Sequence, residues 1–141
     1  MPALEDLAER FATERHIRCR IQGDAAAAAA DNAVKVLLYR SVRELLTNVA
    51  KHAEASEVVV SVAESDGMAV VTVKDNGRGL EPSALSHRPS RQTGFGLASI
   101  RERLTHIGGR MDIVKGRRRG TQITLTAPLR PEGTASRAYP Q

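Results

Sequence analysis

The spacing of apolar and polar residues predicts helices alternating with pairs of strands. Apolar residues recur every three or four positions over residues 4–15 and 32–53, as on one face of a helix. Residues 17–22 alternate in steps of two, which predicts a strand with one buried face. Residues 94–107 are predicted to form a third helix that stops at Gly108.

Two stretches of β-branched residues predict two hairpins. The first joins residues 57–64 to 68–74 through Ser65-Asp66-Gly67, and the second joins 111–115 to 121–127 through a basic turn. The order is therefore helix, strand, helix, hairpin, loop, helix, hairpin. That order favours an α+β fold, a two-layer α/β sandwich with a mainly antiparallel sheet and helices on one face.

The segments between these elements are predicted to be irregular. Residues 75–93 are rich in Gly, Pro, Ser and Arg, and residues 25–30 are an alanine run that fits a loop or a helix lead-in. At 141 residues the chain has the length of one domain. We expect that domain to span residues 1–130, followed by a polar tail over 131–141.

The composition argues against a membrane-spanning, secreted or disulfide-bonded protein. Aromatic residues make up only 3% of the chain, so the core is expected to be aliphatic. No apolar run reaches the roughly 20 residues that a membrane helix needs, and no signal peptide opens the sequence. The single cysteine, Cys19, cannot form an internal disulfide. We expect a cytoplasmic domain without membrane contact of its own.

The net charge of +5 raises the question of an anionic partner. Much of the excess falls on Arg88 and Arg91 and on the turn at residues 115–119. These groups can face phosphates or an acidic protein, or form an ordinary solvated hairpin. Neither zinc-finger spacing nor an aromatic-glycine RNA motif is present, so a nucleic-acid partner is not predicted.

The long second helix carries the first group of candidate site residues. Glu44, Asn48, Lys51 and His52 are three or four positions apart and share one polar arc beside the apolar stripe. These side chains lie at the rim of a buried interface. Together, an acid, an amide and two potential cations can position water and contact phosphate oxygens. Because Mg²⁺ keeps several waters, one amide oxygen plus phosphates would be a sufficient site. An exposed polar helix face is the simpler alternative.

Three glycine-containing motifs follow. Asp75-Asn76-Gly77-Arg78-Gly79 ends a strand, where an acid can accept a hydrogen bond from an exocyclic amine and glycines permit close approach. Thr93-Gly94-Phe95-Gly96-Leu97 opens a helix, whose unpaired N–H groups favour anions. Gly120-Thr121 begins the last strand with a hydroxyl that can bond a ligand. Each motif alone also fits a plain turn or strand.

The order of the four motifs resembles that of the GHKL ATPase superfamily, which has the Bergerat fold. Residues 44–53 resemble its asparagine box, 75–79 its first glycine box, 94–97 its second and 120–121 its last. The superfamily includes gyrase-type topoisomerases, heat-shock chaperones, mismatch-repair ATPases and histidine kinases. Residues 37–40, 96–103 and 107–109 are most similar to sensor histidine kinases of the nitrate-sensor type.

The resemblance implies a function in a two-component system. The domain would bind Mg·ATP and donate the γ-phosphate to a histidine on a separate dimerisation domain, with a response regulator downstream. Asn48 would ligate Mg²⁺, and Glu44 would order a metal-bound water or act as base. Lys51 and His52 would lie near phosphate oxygens.

The resemblance also implies roles for the glycine boxes. Asp75 would accept from the adenine amino group, and Thr121 would reach adenine through water. The remaining cofactor-binding positions shape the adenine pocket or offer backbone donors to the phosphates: Gly77, Gly79, Gly94, Gly96 and Leu97. Residues 80–93 would be a lid over ATP.

The chain departs from the full kinase pattern in its histidines. His16, His52, His87 and His106 are not followed by an acidic residue, as a phosphoacceptor usually is. We therefore expect a histidine kinase domain that does not phosphorylate itself in isolation. Two alternatives share the fold: a serine/threonine kinase of the anti-sigma type, and a non-catalytic switch that uses nucleotide to change shape.

Overall fold

A computed structural model describes residues 2–23, 30–78, 94–115 and 120–131. The helices in these ranges are α1 (Pro2–Arg15), α2 (Asn32–Asn48) and α3 (Gly94–His106). The strands are β1 (Arg18–Gly23), β2 (Glu57–Ser65), β3 (Met68–Asp75), β4 (Arg110–Lys115) and β5 (Thr121–Pro128). The predicted order of elements is confirmed, and strand limits differ from the prediction by at most one residue.

The five strands form one sheet in the order β1-β2-β3-β5-β4. β1 runs parallel to β2, and the other neighbours are antiparallel. The predicted class, a two-layer α/β sandwich with a mainly antiparallel sheet, is confirmed. None of the helices in the described ranges is long and apolar enough to cross a lipid bilayer.

The core lies between one face of the sheet and the helices. Alternate residues of the central strands are buried, and they form rows across the sheet because the strands are in register. One such row is Val60, Val73 and Ile123, and the next is Val62, Val71 and Leu125. The largest fully buried side chains among the described residues are all Leu or Val, so the aliphatic core is confirmed.

The first hairpin has the turn that its sequence predicts. Asp66 and Gly67 both have positive φ, 52° and 77°, which is the type I′ geometry that matches strand twist. Glu64 supports the turn by accepting a hydrogen bond from the Gly67 N–H at 3.2 Å. The chain beyond β5 is tied to the same turn, since the Leu129 N–H donates to the Gly67 carbonyl at 3.0 Å.

The second helix differs from the prediction at its C-terminal end. The α-helix stops at Asn48, and Val49–Ala53 forms a π-helical turn that ends where Glu54 adopts a left-handed φ of 52°. Periodicity alone cannot show this change, because a π turn inserts one residue into an otherwise continuous helix. The predicted lid over 80–93 lies outside the described residues, as do residues 24–29, 116–119 and 132–141.

Candidate functional site

Asp75 occupies a position in the sheet where the pattern calls for an apolar residue. It is the last residue of β3, paired with Val58 of β2 and Thr121 of β5, in the row after Val73. Its side chain is only 7% exposed. Burying a carboxylate is unfavourable unless its oxygens are used, so a buried acid at a strand end indicates a binding role.

Burial and two backbone N–H groups act on the Asp75 carboxyl group in opposite directions. Burial raises the pKa of the Asp75 carboxyl, and backbone N–H groups of Gly77 and Thr121 partly oppose that rise. The Gly77 N–H donates to Asp75 Oδ1 at 2.8 Å. The carboxyl group is therefore held in one orientation by the glycine box that follows it.

Gly120 brings the last motif against Asp75. Its φ is +92°, and a Cβ at this position would overlap the Asp75 carbonyl oxygen. Thr121, the next residue, is 2% exposed and lies opposite Asp75 in the sheet. The first and last glycine motifs thus form one unit, and glycine is required for their close approach.

Asn76 connects this unit to the end of the second helix. Its Oδ1 accepts hydrogen bonds from the backbone N–H groups of Ser56 at 2.9 Å and Glu57 at 3.0 Å, and its Nδ2 donates to Ser56 Oγ at 2.9 Å. The Arg78 guanidinium lies 3.7 Å from the Glu54 carboxylate. Since Glu54 directly follows the π turn, the first glycine box is fixed beside the asparagine box.

Glu44 meets the start of α3 through Gly96. A Cβ on Gly96 would lie 2.8 Å from Glu44 Cγ and 3.0 Å from Cδ, so the Glu44 side chain lies directly against the first turn of α3. Glu44 itself is exposed. Both residues line a cavity of about 380 Å³ between α2 and α3. The second glycine box therefore lies against the asparagine box.

Asn48 is half-buried at the end of α2, and its Nδ2 is buried without a hydrogen-bond partner in the described part of the chain. Buried amides are normally satisfied, so an unpartnered one is an expected feature of a ligand site. Lys51 is exposed on the π turn, whereas the side chain of His52 lies outside the described residues. Glu44 and Asn48 thus lie beside the buried stripe of α2, and Lys51 lies on the turn that follows.

Residues 33–131 match the family described as histidine kinase-, DNA gyrase B-, and HSP90-like ATPase. The chain belongs to this ATPase family.

Relatives of this ATPase domain include sensor kinases. The chain is 36% identical over 95 residues to the sensor histidine kinase YdfH of Bacillus subtilis, covering 67% of this chain and 23% of YdfH. It is 29% identical over 125 residues to the nitrate/nitrite sensor protein NarX of Escherichia coli, covering 89% of this chain and 20% of NarX. The resemblance to the nitrate-sensor type is confirmed. The chain spans about a quarter or less of the length of these relatives.

A solved structure shows the same fold. The blue-light activated histidine kinase EL346 of Erythrobacter litoralis superposes with a TM-score of 0.69 at 23% identity, over 89% of this chain and 44% of that one.

Asn48 has an amide oxygen of the kind that Mg²⁺ accepts as a ligand. The described residues contain no group of three or more His, Cys, Asp or Glu side chains that could hold a metal ion. Mg²⁺ keeps most of its waters and takes few protein ligands, usually together with phosphates. The unpartnered Nδ2 of Asn48 is a hydrogen-bond donor suited to a phosphate oxygen, and the side-chain oxygen of the same amide is the atom that would bind the ion.

The remaining predicted site residues have different surroundings. Leu97 is 3% exposed and belongs to the hydrophobic core. The backbone of Gly94 and Gly96 begins α3, as predicted, and Gly79 lies outside the described residues. The structural part played by Asn76 was not predicted, because the motif indicated a role for Asp75 and its glycines and none for the Asn76 side chain. Its partner Ser56 is 20 residues away, and no local pattern connects the two.

Proposed function

We propose that this ATPase domain is the catalytic domain of a two-component sensor histidine kinase, over residues 1–130. It binds Mg·ATP and transfers the γ-phosphoryl group to a histidine on a separate dimerisation domain, from which a response regulator is phosphorylated. The buried carboxylate of Asp75, which accepts from the Gly77 N–H and lies beside Gly120, is the main support. We place the domain in the cytoplasm, because ATP is supplied there and because Cys19 is a free thiol, as is usual in a reducing compartment.

The adenine end of the proposed site is the Asp75 unit. Asp75 has one oxygen engaged by the Gly77 N–H, and a carboxylate has further lone pairs for the adenine amino group. Thr121 presents its hydroxyl from the neighbouring strand position. Gly77 and Gly79 are proposed to shape this pocket, because glycine permits a ligand to approach the backbone closely.

The phosphate end is the junction of α2 and α3. The first N–H groups of α3, at Gly94 and Gly96, and the positive end of its dipole favour phosphate oxygens. Lys51 adds positive charge from the π turn, and His52 is proposed to lie near the phosphate oxygens. Asn48 would hold Mg²⁺ through its side-chain oxygen, and the ion when bound neutralises phosphate charge.

The proposed reaction is a direct phosphoryl transfer. An imidazole nitrogen of the acceptor histidine forms a bond to the γ-phosphorus, and the bond from that phosphorus to the bridging oxygen breaks. ADP leaves with the electron pair, and the proton of the acceptor ring passes to the Glu44 carboxylate. The chain's own residues chiefly position the nucleotide and neutralise the charge of its phosphates, since such transfer depends mainly on the alignment of the reactants and on charge.

Asp75→Asn is the most direct test of the nucleotide site. We expect it to weaken Mg·ATP binding about 10- to 150-fold, because a hydrogen bond involving a charged group is worth about 1.5–3 kcal/mol. Calorimetric titration measures the loss. Asp112→Asn is the matched control, since Asp112 is exposed on β4 and pairs only with Arg110 among the described residues. We expect no change in affinity for this control.

The same variants separate adenine from phosphate recognition. Asp75→Asn should leave magnesium tripolyphosphate binding unchanged, whereas Asn48→Ala should weaken it. If wild-type protein shows no saturable binding at millimolar Mg·ATP, the proposed function is wrong. Acid treatment of the phosphorylated acceptor then distinguishes the kinases, because phosphohistidine is lost in acid and phosphoserine survives.

Asp75→Asn also tests whether the buried Asp75 carboxylate lowers the free energy of unfolding. Because burial raises the Asp75 pKa above its ordinary value of 3.8, the folded chain binds more protons than the unfolded chain between the two values. Stability therefore falls as pH rises through that window. We expect Asp75→Asn to be at least as stable as wild type at pH 7 in urea unfolding, with the difference disappearing below the ordinary pKa.

A further inference from the structure

The outer side of the α2–α3 junction carries arginines that the nucleotide site does not use. Arg40 and Arg43 of α2 and Arg103 of α3 line the 380 Å³ cavity that also contains Glu44 and Gly96. All three are exposed, and none forms an ion pair within the described ranges. Other arginines of the chain do pair with acids, as Arg20 does with Glu57 at 3.1 Å. These three therefore remain available to an external acid.

The basic surface continues onto the first helix. A second cavity of about 250 Å³ lies between α1 and α2, and Arg43 lines it together with Arg10 and Arg15. Arg43 thus belongs to both cavities and joins them into one surface across three helices. We name this surface, Arg15, Arg40, Arg43 and Arg103, the arginine face. The charge excess noted in the sequence is therefore not confined to the loop and the basic turn.

The position of the arginine face limits what can occupy it. One end of its α2–α3 cavity is formed by Glu44 and Gly96, where the transferred phosphoryl group is expected. Gly96 and Arg103 are seven positions apart, so they are separated by about 10 Å along α3, at 1.5 Å per residue. A helix that lies in this cavity can place one side chain at the phosphate end and another, about two turns away, against Arg103.

We propose that the arginine face docks an acidic helix of the domain that carries the phosphoacceptor histidine. This inference rests on the proposed function and specifies the partner surface. Charge complementarity favours the acidic segment, because arginine pairs with carboxylates through two parallel N–H groups and steers association. The helix delivers its histidine to Glu44 while its carboxylates pair with Arg40, Arg43 and Arg103.

The test compares two double charge reversals on the same two helices. Arg40→Glu with Arg103→Glu changes the arginine face, and Lys35→Glu with Arg101→Glu makes the same net change at residues that line neither cavity. Each protein is mixed with Mg·ATP and the separately produced dimerisation domain of the parent kinase. Acid-labile phosphate on that domain is measured against its concentration.

We expect the arginine-face variant to raise the KM for the acceptor domain about tenfold or more, with the control within about twofold of wild type. Mg·ATP affinity should be unchanged in both variants. The wild-type rate should fall with added salt, and the variant should lose most of that dependence. Arg40→Lys with Arg103→Lys should give a KM between those of wild type and the charge-reversal variant, because the charges remain and the paired N–H groups are lost.

Three results would overturn the inference. Equal KM values for the two charge-reversal variants would make the arginine face an ordinary solvated surface. A selective loss of Mg·ATP affinity in the arginine-face variant would assign the arginines to the nucleotide. Binding of duplex DNA that only this variant loses would assign them to nucleic acid. Failure of the wild-type chain to bind Mg·ATP is distinct, because it removes the proposed function itself.

Discussion

Glu44→Gln is expected to reduce phosphoryl transfer to the acceptor domain about 10²- to 10⁴-fold, the usual contribution of a positioned acid or base. Glutamine has the same size and can keep the contact with Gly96, where an added Cβ would lie only 2.8 Å from Glu44 Cγ. It cannot accept the proton of the acceptor ring. Binding of Mg·ATP should therefore be nearly unchanged, since the substitution removes the base and leaves the helix junction intact.

Initial rates of acid-labile phosphate formation at saturating Mg·ATP measure this effect, with calorimetry for nucleotide affinity. Glu102→Gln is the control, because Glu102 is an exposed carboxylate of α3. A rate loss of similar size in both variants, or none in Glu44→Gln, would remove Glu44 from the transfer step. A fall in affinity that accounts for the whole rate loss would instead make it a nucleotide ligand.

Gly120→Ala is expected to destabilise the fold by about 3 kcal/mol or more. The residue has φ +92°, which costs an L-residue about 1–3 kcal/mol. In addition, the new Cβ would overlap the Asp75 carbonyl oxygen, which is main chain and cannot rotate away. β3 and β5 must separate to make room, which disturbs both the sheet and the adenine end of the site.

Urea unfolding followed by circular dichroism measures the free energy difference. Gly23→Ala is the matched control, because a Cβ at Gly23 meets nothing within 4 Å and its φ is not positive. We expect the control to change the free energy of unfolding by no more than about 0.5 kcal/mol. Equal effects of the two substitutions would show that the β3–β5 edge tolerates the side chain.

The fold could be predicted from the sequence because its signals are local. The step of two in β2 and β3 places Val58, Val60, Val71 and Val73 on the buried face, and the next inward position is Asp75. The Asp66-Gly67 turn fixes the register of that hairpin. The same alternation therefore places the candidate carboxylate on the face that packs against the helices.

The assembly of the site could not be predicted in the same way. Glu44 and Gly96 are far apart in sequence, and periodicity shows which face a residue occupies without naming its neighbour across the core. The arginine face was missed for the same reason, since Arg40 and Arg103 lie on different helices. The basic turn at residues 115–119, by contrast, is visible in the sequence because its charged residues are neighbours in the chain.

The π turn after Asn48 has a consequence for how the proposed ligands are arranged. In an α-helix each residue is rotated about the axis by about 100° from the one before. One inserted residue therefore changes the direction of all later side chains, compared with an uninterrupted α-helix. Glu44 and Asn48 keep the fixed spacing of a regular helix, whereas Lys51 stands on the wider turn. The relative position of Glu44 and Asn48 therefore does not depend on the geometry of the π turn that carries Lys51. A substitution that returned this turn to α-helical geometry would therefore move Lys51 and leave Glu44 and Asn48 in place.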